Sequence, residues 1–377
     1  GGSQPPRRRR RPGLGHLVMD TYFAADYAEA RAKFLESAKA VDVLKWKFDH
    51  PLTGPSGEAL GTDIVWLGAE NARNVVVAGS ATHGIEGFCG SGCQTGFLTE
   101  NWMSRLAADT ALVLVHANNP HGFAHQRRVN EDNIDLNRNF IDFDPEIPDS
   151  PGYAELHPAL VPDAWDGTAR EAADAAIADY KAREGLPAFQ QVTSRGQYTH
   201  PDGLFFGGTG PSWSRRTIEG FARTHMSAVK RIAVVDFHTG LGPRGYGEII
   251  GRGAPGDPQY ERTVAWYGPD VKSAAVGNSA SVRLNGTIDF GYRRACPQAE
   301  QTAITLEFGT LPLEEVHEAI RADNWLYAKG GAAASPHFKA IKAQMRAAFY
   351  GEDSQWKKDI WARGQEIVEQ ALAGVGS

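Results

Sequence analysis

The chain contains 377 residues, 42% of them hydrophobic, and its formal net charge is −6. A chain of this length and composition can bury a large core, either as one large α/β domain or as two smaller domains. Five arginines at positions 7–11 are the only charged residues among residues 1–18, so the remainder carries −11 (−6 − 5), which argues against a nucleic-acid partner. No stretch reaches the roughly 18 consecutive apolar residues of a membrane span, so we expect no membrane partner either.

Residues 1–18 form a basic segment in which prolines flank the arginines. This composition predicts a disordered leader, or a remnant added upstream of a natural start at Met19. A secretion signal requires an apolar stretch after the charges, and none of adequate length follows. We therefore expect a cytoplasmic protein.

The first periodic pattern places Phe23, Tyr27, Ala30, Phe34, Ala38 and Val41 at intervals of three or four residues. It predicts an amphipathic helix capped by Asp20 or Thr21. The next two runs, LKWKFDH and TDIVWLG, flank a Pro-Ser-Gly turn and predict a β-hairpin.

Four continuous apolar runs predict strands that are buried on both faces of a sheet. One of them, at residues 111–117, is ALVLVHA. The run at residues 74–80 leads into His83 and Glu86. The run at residues 231–237 leads into His238, and the run at residues 303–306 leads into Glu307. Open α/β sheets bind ligands beyond the carboxyl ends of their strands, so we expect these four side chains to meet there.

These side chains have the chemistry of a zinc hydrolase. Such an enzyme needs three protein ligands, an open position for water, and a carboxylate that takes the proton of that water. The His-x-x-Glu pair of His83 and Glu86 offers two ligands, His238 offers the third, and Glu307 offers the base.

The segment NNPHGFAHQRRVNEDNIDLNRNF at residues 118–140 resembles the substrate-binding segment of the carboxypeptidase A-like zinc metallocarboxypeptidases. The Asn-Pro turn, Arg128 and the cluster from Asp135 to Asn139 carry the resemblance, which covers residues 74–310. GLFFGGTGPSWS and HTGLGPRGYGE are similar to a bacterial branch of that family whose substrate is not assigned. The His-Gly-x-Glu form of the first motif is also frequent in the related succinylglutamate desuccinylase and aspartoacylase branch.

The resemblance implies a role for each matching residue. His83, Glu86 and His238 would hold one zinc ion per chain, and Glu307 would be the general base. Arg128 would stabilise the oxyanion, Asn137 and Arg138 would bind a substrate carboxylate, and Asp135 would orient His83.

Alternatives remain for several of these residues. Arg127 could replace Arg128, Arg138 could be a structural ion-pair partner, and Asp135 could cap a turn. The family carries a tyrosine that contacts the substrate; Tyr292, fifteen residues before Glu307, is the candidate, with Tyr246 and Tyr267 as rivals.

Residues 19–377 are expected to form a single catalytic domain, because its site residues span more than two hundred positions. Residues 141–201 are polar and contain prolines, so we expect an insertion over the active site, with one helix near residues 169–182. After Glu307 the pattern predicts three helices, at residues 314–329, 336–350 and 354–372. The fold class expected is α/β, with a central mixed β-sheet flanked by helices.

The three cysteines, Cys89, Cys93 and Cys296, are too few for a disulfide framework and fit a reducing cytoplasm. Cys89 and Cys93 stand four apart and could form a second metal or redox pair. Small buried residues on a helix after the metal motif are the expected outcome.

The functional hypothesis is a zinc hydrolase that cleaves an amide next to a free carboxylate, most simply a carboxypeptidase acting on small peptides. An N-acyl amino acid deacylase would use the same residues. A non-catalytic zinc-dependent binding protein is a third hypothesis, against which the presence of Glu307 counts. The sequence leaves open the oligomeric state and the side chain that the substrate carries.

Overall fold

The computed structural model describes residues 19–144 and 147–377, so the predicted leader at residues 1–18 lies outside the described residues. Seven strands form one mixed sheet in the order β1-β2-β4-β3-β5-β7-β6. The strands are β1 (Leu44–Thr53), β2 (Ala59–Gly68), β3 (Asn74–Gly79), β4 (Thr110–His116), β5 (Arg231–Arg244), β6 (Glu248–Gly251) and β7 (Glu300–Gly309). The α/β class with a central mixed sheet is therefore confirmed.

Helices lie on both faces of this sheet. They are α1 (Tyr27–Lys39), α2 (Gly87–Thr99), α3 (Pro120–Ala124), α4 (Tyr153–Leu160), α5 (Gly167–Glu184), α6 (Leu186–Ser194), α7 (Trp213–His225), α8 (Pro258–Tyr267), α9 (Asp289–Ala295), α10 (Leu313–Ala328), α11 (Phe338–Phe349) and α12 (Ser354–Gly376). Among the described residues, no helix is both long and apolar enough to cross a bilayer.

The central strands β4, β3, β5 and β7 are parallel, and β1, β2 and β6 extend the sheet with antiparallel pairs. Alternate residues of β3 belong to different apolar clusters: Val76 and Ala78 pack on one face, and Val75 and Val77 on the other. This alternation explains why the central strands appear in the sequence as continuous apolar runs. The predicted hairpin is also confirmed as β1 and β2.

The first helix begins later than predicted. It starts at Tyr27 and is capped by Asp26, whose carboxylate accepts a hydrogen bond from the Glu29 backbone N–H at 2.8 Å. The Glu29 side chain in turn accepts from the Ala25 N–H at 2.7 Å. Because Asp26 accepts a free N–H group of the first turn and Glu29 accepts the N–H of the residue before the cap, the cap is there and not at Asp20 or Thr21.

The helices predicted near residues 169–182 and after Glu307 are confirmed as α5, α10, α11 and α12. All three cysteines are free and buried, and Cys89 and Cys93 lie on α2. Burial raises the pKa of both of these thiols above the ordinary value, and neither lines the cavity described below.

Candidate metal centre and active site

A tight turn after β3 brings His83 and Glu86 to one point. His83 precedes a short 3₁₀ turn, Gly84–Glu86, and the Gly84 and Ile85 N–H groups donate to the carbonyl oxygens of Arg128 and Arg127 at 3.1 and 2.9 Å. A Cβ at position 84 would lie 2.0 Å from the Gly122 carbonyl carbon in α3. The glycine of the His-Gly-x-Glu motif is therefore required by backbone packing.

His238 reaches the same point from the neighbouring strand. The sequence pattern ends the strand at Phe237, but β5 continues to Arg244, so His238 lies within it and pairs in register with Glu307 on β7. The parallel pairing of β3 with β5 ends at Asp236. Beyond that position the His238 side chain is free to face His83 and Glu86.

Both imidazole rings turn the same nitrogen toward Glu86. The Nδ1 atom of His83 lies 3.0 Å from Glu86 Oε1, and the Nδ1 atom of His238 lies 3.1 Å from Glu86 Oε2. Candidate ligand atoms of the three buried side chains lie within 4.8 Å of one another. Two imidazoles and a carboxylate are a donor set found at catalytic zinc sites.

Each histidine is held from behind by an aspartate. His83 Nε2 lies 3.0 Å from Asp135 Oδ1 and 2.9 Å from a terminal nitrogen of Arg128, and His238 Nε2 lies 2.5 Å from Asp236 Oδ2. An aspartate that accepts the Nε2 proton leaves a lone pair on Nδ1, as metal-ligating histidines require. Asp135 also accepts from the Asn137 N–H at 3.0 Å, so it caps a turn as well. The residues present therefore fit a bound metal ion.

In this group of side chains, burial disfavours each charge, and neighbouring charges of opposite sign offset that effect. Burial opposes ionisation of Asp135, but Arg128, Arg138 and His83 hold its pKa well below the ordinary value. Burial likewise opposes protonation of His238, but Asp236 and Glu86 raise the pKa of its ring well above the ordinary value.

Asp236 is not among the site residues predicted from the sequence. Its side chain also accepts a hydrogen bond from the Thr82 hydroxyl at 2.6 Å, which fixes it against the turn that carries His83. The signal that could have found it is the period of two along a strand, which puts Asp236 and His238 on one face of β5.

Arg128 lies beside the three candidate ligands. Its guanidinium contacts Glu86 Oε1 at 3.2 Å and Asp135 Oδ2 at 3.0 Å, and it keeps 12% side-chain exposure. Arg127 points elsewhere and forms a buried ion pair with Asp323 at 3.0 Å. Of the two neighbouring arginines, Arg128 is therefore the one that can reach a substrate at this site.

Glu307 is buried opposite His238, and its Oε1 accepts a hydrogen bond from the Leu241 N–H at 3.0 Å. Burial and the neighbouring Glu86 charge raise its pKa to about 8, against the smaller effects of His238 and Arg128. A carboxyl group with a pKa near neutrality can both take up and give back a proton.

Asn137 and Arg138 line the same cavity, but Arg138 is already well bonded. Its Nε and one terminal nitrogen donate to the Ser194 carbonyl at 3.1 and 2.6 Å, and its other terminal nitrogen donates to the Asn137 carbonyl at 3.1 Å. Three of its five N–H donors are thus occupied. The Asn137 Oδ1 atom accepts from the Ile288 N–H at 2.8 Å.

Tyr292 does not lie at the site. It is 2% exposed, belongs to the apolar cluster that also contains Val75 and Val77, and does not line the cavity. Its place on α9, between the helix α7 and the sheet, explains the burial. The expected substrate contact is therefore not made by Tyr292 in this structure.

The site opens into a cavity of about 80 Å³. Besides the candidate catalytic residues, four other parts of the chain line the cavity. They are the predicted insertion (Gln190), β6 (Ile250), the segment before α9 (Ser281 and Leu284) and α10 (Val316 and His317). Within residues 141–201, Gln190 and Ser194 of α6 line this cavity.

A comparison with protein-family models matches residues 23–363 to the family described as protein of unknown function, DUF2817. This match covers most of the chain, including every candidate site residue named above. A search of curated protein sequences finds no match.

Several solved structures are similar to the chain at low sequence identity. Carboxypeptidase A from Helicoverpa armigera has 14% identity and a TM-score of 0.45, with 88% of this chain and 75% of that chain covered. Succinylglutamate desuccinylase from Chromobacterium violaceum has 15% identity and a TM-score of 0.36, with 81% of this chain and 75% of that chain covered. Murein-tripeptide amidase MpaA from Escherichia coli O157 has 13% identity and a TM-score of 0.35, with 78% of this chain and 95% of that chain covered.

Proposed function

The chain belongs to the DUF2817 family, and we propose that it is a zinc-dependent hydrolase that cleaves an amide bond next to a free carboxylate. The observation that carries the proposal is the orientation of His83 and His238. Both present Nδ1 to the Glu86 carboxylate while aspartates hold both Nε2 atoms. This arrangement is the one expected of metal-ligating histidines, in which Nδ1 must keep a lone pair for the metal.

His83, Glu86 and His238 would hold one zinc ion, which supplies Lewis acidity and lowers the pKa of a water molecule. Glu307 would accept the proton of the attacking water and return it to the leaving amine. Arg128, next to these groups and partly exposed, would stabilise the negative charge that develops on the substrate carbonyl oxygen.

Asn137 is the better placed of the two residues expected to bind the carboxylate. Its Oδ1 is used by Ile288, while among residues 19–144 and 147–377 no hydrogen bond is made by its Nδ2 group. Arg138 would add charge from a position fixed by Ser194. We therefore propose that Asn137 donates to the substrate carboxylate and that Arg138 supports it electrostatically.

The simplest reaction is removal of a C-terminal residue from a small peptide by a cytoplasmic carboxypeptidase. The second candidate is an N-acyl amino acid deacylase, which would use the same candidate metal ligands and the same carboxylate contact, in a catalytic cavity of about 80 Å³. A non-catalytic binding protein would have no need of Glu307.

We predict that the purified protein hydrolyses peptides or N-acyl amino acids with a free carboxylate, and that a chelator abolishes this activity. Amidated analogues should be poorer substrates, because they lose the charged hydrogen bond that Asn137 would donate to the carboxylate, a loss of about 1.5–3 kcal/mol. Rates for matched free-acid and amidated substrates, with chelator and after zinc is restored, would test this. Equal rates for both would refute the carboxylate contact, and chelator resistance would refute the metal.

Asp236→Asn is expected to weaken zinc binding by about 10–100-fold. The amide cannot fix the His238 tautomer as the carboxylate does, so the lone pair on Nδ1 is no longer secured. Asp135→Asn should act in the same direction through His83. Zinc affinity measured by competition with a chromogenic chelator would show the change, and Asp257→Asn, an exposed position before α8, is the control. Unaltered affinity in both buried variants would remove these aspartates from the site.

A further inference from the structure

A second cleft adjoins the catalytic cavity. It has a volume of about 320 Å³ and lies between helices α5 and α6 of the predicted insertion and helix α10. Gln190, Phe205, Leu313 and His317 line both spaces, so the two are separated by no more than these side chains. The cleft is therefore a neighbouring space toward which a substrate bound at Glu307 could extend.

The walls of the cleft are mostly apolar, and they are formed by Leu160, Ile177, Leu186, Phe189, Leu204 and Phe205. Four of these side chains come from residues 141–201, the segment predicted to be an insertion. The segment thus builds a binding surface and does not simply close the site.

The charged residues at the cleft are paired with one another. Arg170 and Arg321 both contact Asp174, at 2.8 and 2.6 Å, and both also pair with Glu318. Lys181 lies 3.8 Å from Glu314. Three cations and three carboxylates leave no net charge, so the cleft has no preference for a charged ligand.

His317 stands where the cleft meets the catalytic cavity. Burial and the nearby Arg128 charge lower its pKa to about 4, so its ring is neutral at neutral pH. Within the described part of the chain, no hydrogen bond is made by this ring. The junction is therefore uncharged, but it keeps a polar group that can contact the amide of a substrate.

The cleft has the size of a ligand-binding pocket, which the catalytic cavity alone does not have. Ligand-binding pockets occupy about 300–1,000 Å³, whereas the catalytic cavity alone has about 80 Å³. A substrate must therefore extend beyond that cavity, and the cleft supplies a space of the required size.

The cleft lies away from the segment that contacts Asn137. The Ile288 N–H donates to Asn137 Oδ1, and the preceding segment, with Ser281 and Leu284, lines the catalytic cavity on that side. A carboxylate bound by Asn137 would place the leaving residue there. The acyl side of the scissile amide would then point toward His317.

We infer that the cleft binds an uncharged apolar group on the acyl side of the substrate, either an aliphatic acyl chain or an apolar side chain. This inference rests on the proposed function for the position of the scissile amide. Beyond that function, it specifies the chemical class of the substrate group that binds against the helices of the predicted insertion.

The test is the affinity of the zinc-loaded full-length protein for N-acetyl-L-alanine, N-octanoyl-L-alanine and N-acetyl-L-phenylalanyl-L-alanine, measured by titration calorimetry. Each buried methylene raises affinity roughly fourfold, so burial of two or three predicts a preference of about 15–60-fold for octanoyl over acetyl. The phenylalanyl compound distinguishes an apolar side chain from an acyl chain as the natural occupant.

Ala178→Trp should reduce the octanoyl preference to below about threefold, because Ala178 lines the cleft and the indole would fill it. Ala176→Trp is the matched control, since Ala176 is exposed on the same helix and does not line the cleft. The preference is a ratio within one variant, so a partial loss of folded protein does not alter it.

Equal affinity for the acetyl and octanoyl compounds, or equal loss of preference in both tryptophan variants, would overturn the inference. Absence of octanoyl-alanine binding would do the same. Binding is measured apart from turnover, so a protein that shows the preference but hydrolyses no substrate would retain the cleft assignment and refute the proposed function.

Discussion

Replacing Glu307 with glutamine is expected to lower turnover by about 10²–10⁴-fold, the usual contribution of a positioned general base. Glutamine has nearly the same shape and can still accept the hydrogen bond from the Leu241 N–H through its amide oxygen. It cannot accept the proton of water. Zinc content should therefore stay at the wild-type value while kcat falls.

Glu300→Gln is the matched control, because Glu300 begins the same strand β7 and its side chain is half exposed. That variant should keep wild-type kinetics. A Glu307→Gln protein that hydrolysed its substrate at the wild-type rate would show that Glu307 has only a structural role.

His238→Ala is expected to abolish both metal binding and activity. It removes one of three ligands and leaves the buried Asp236 carboxylate without its ring partner, so affinity should fall by more than the 10–100-fold typical of a residue behind a ligand. Metal content after dialysis, together with hydrolysis of the best wild-type substrate, measures the effect.

The control for this variant is His225→Ala, an exposed histidine at the end of α7. It should retain metal and activity. Full zinc content in the His238→Ala protein would place the metal elsewhere, and activity without metal would remove it from the reaction.

The sheet could be predicted from the sequence because its central strands are buried on both faces. Val75 to Ala78 on β3 supply apolar side chains to two clusters at once, so the run is continuous and easily recognised. Strand ends were less well predicted. β5 runs past His238 because its pairing with β7 continues there, and pairing is not visible in one strand alone.

The candidate ligands could be found because their residue types and spacing carry the chemistry. Their partners were harder to find: Asp135 follows from the family resemblance, whereas Asp236 depends on the strand period and was overlooked. Tyr292 was misassigned because a buried aromatic and a substrate-binding tyrosine look alike in a sequence.

The cleft could not be predicted. Its walls join Leu160 and Phe189 to Leu313, residues more than a hundred positions apart, and only tertiary packing brings them together. The same is true of Arg138, whose N–H groups are occupied by the Ser194 carbonyl from a different helix.

The central claim is that His83, Glu86 and His238 hold a catalytic zinc ion. Anomalous X-ray diffraction from crystals of the zinc-loaded protein, recorded on both sides of the zinc absorption edge, tests it most directly. The account predicts a single peak about 2 Å from His83 Nδ1, His238 Nδ1 and a Glu86 carboxylate oxygen. A peak at other side chains, or none between these three in protein with full zinc content, would contradict it.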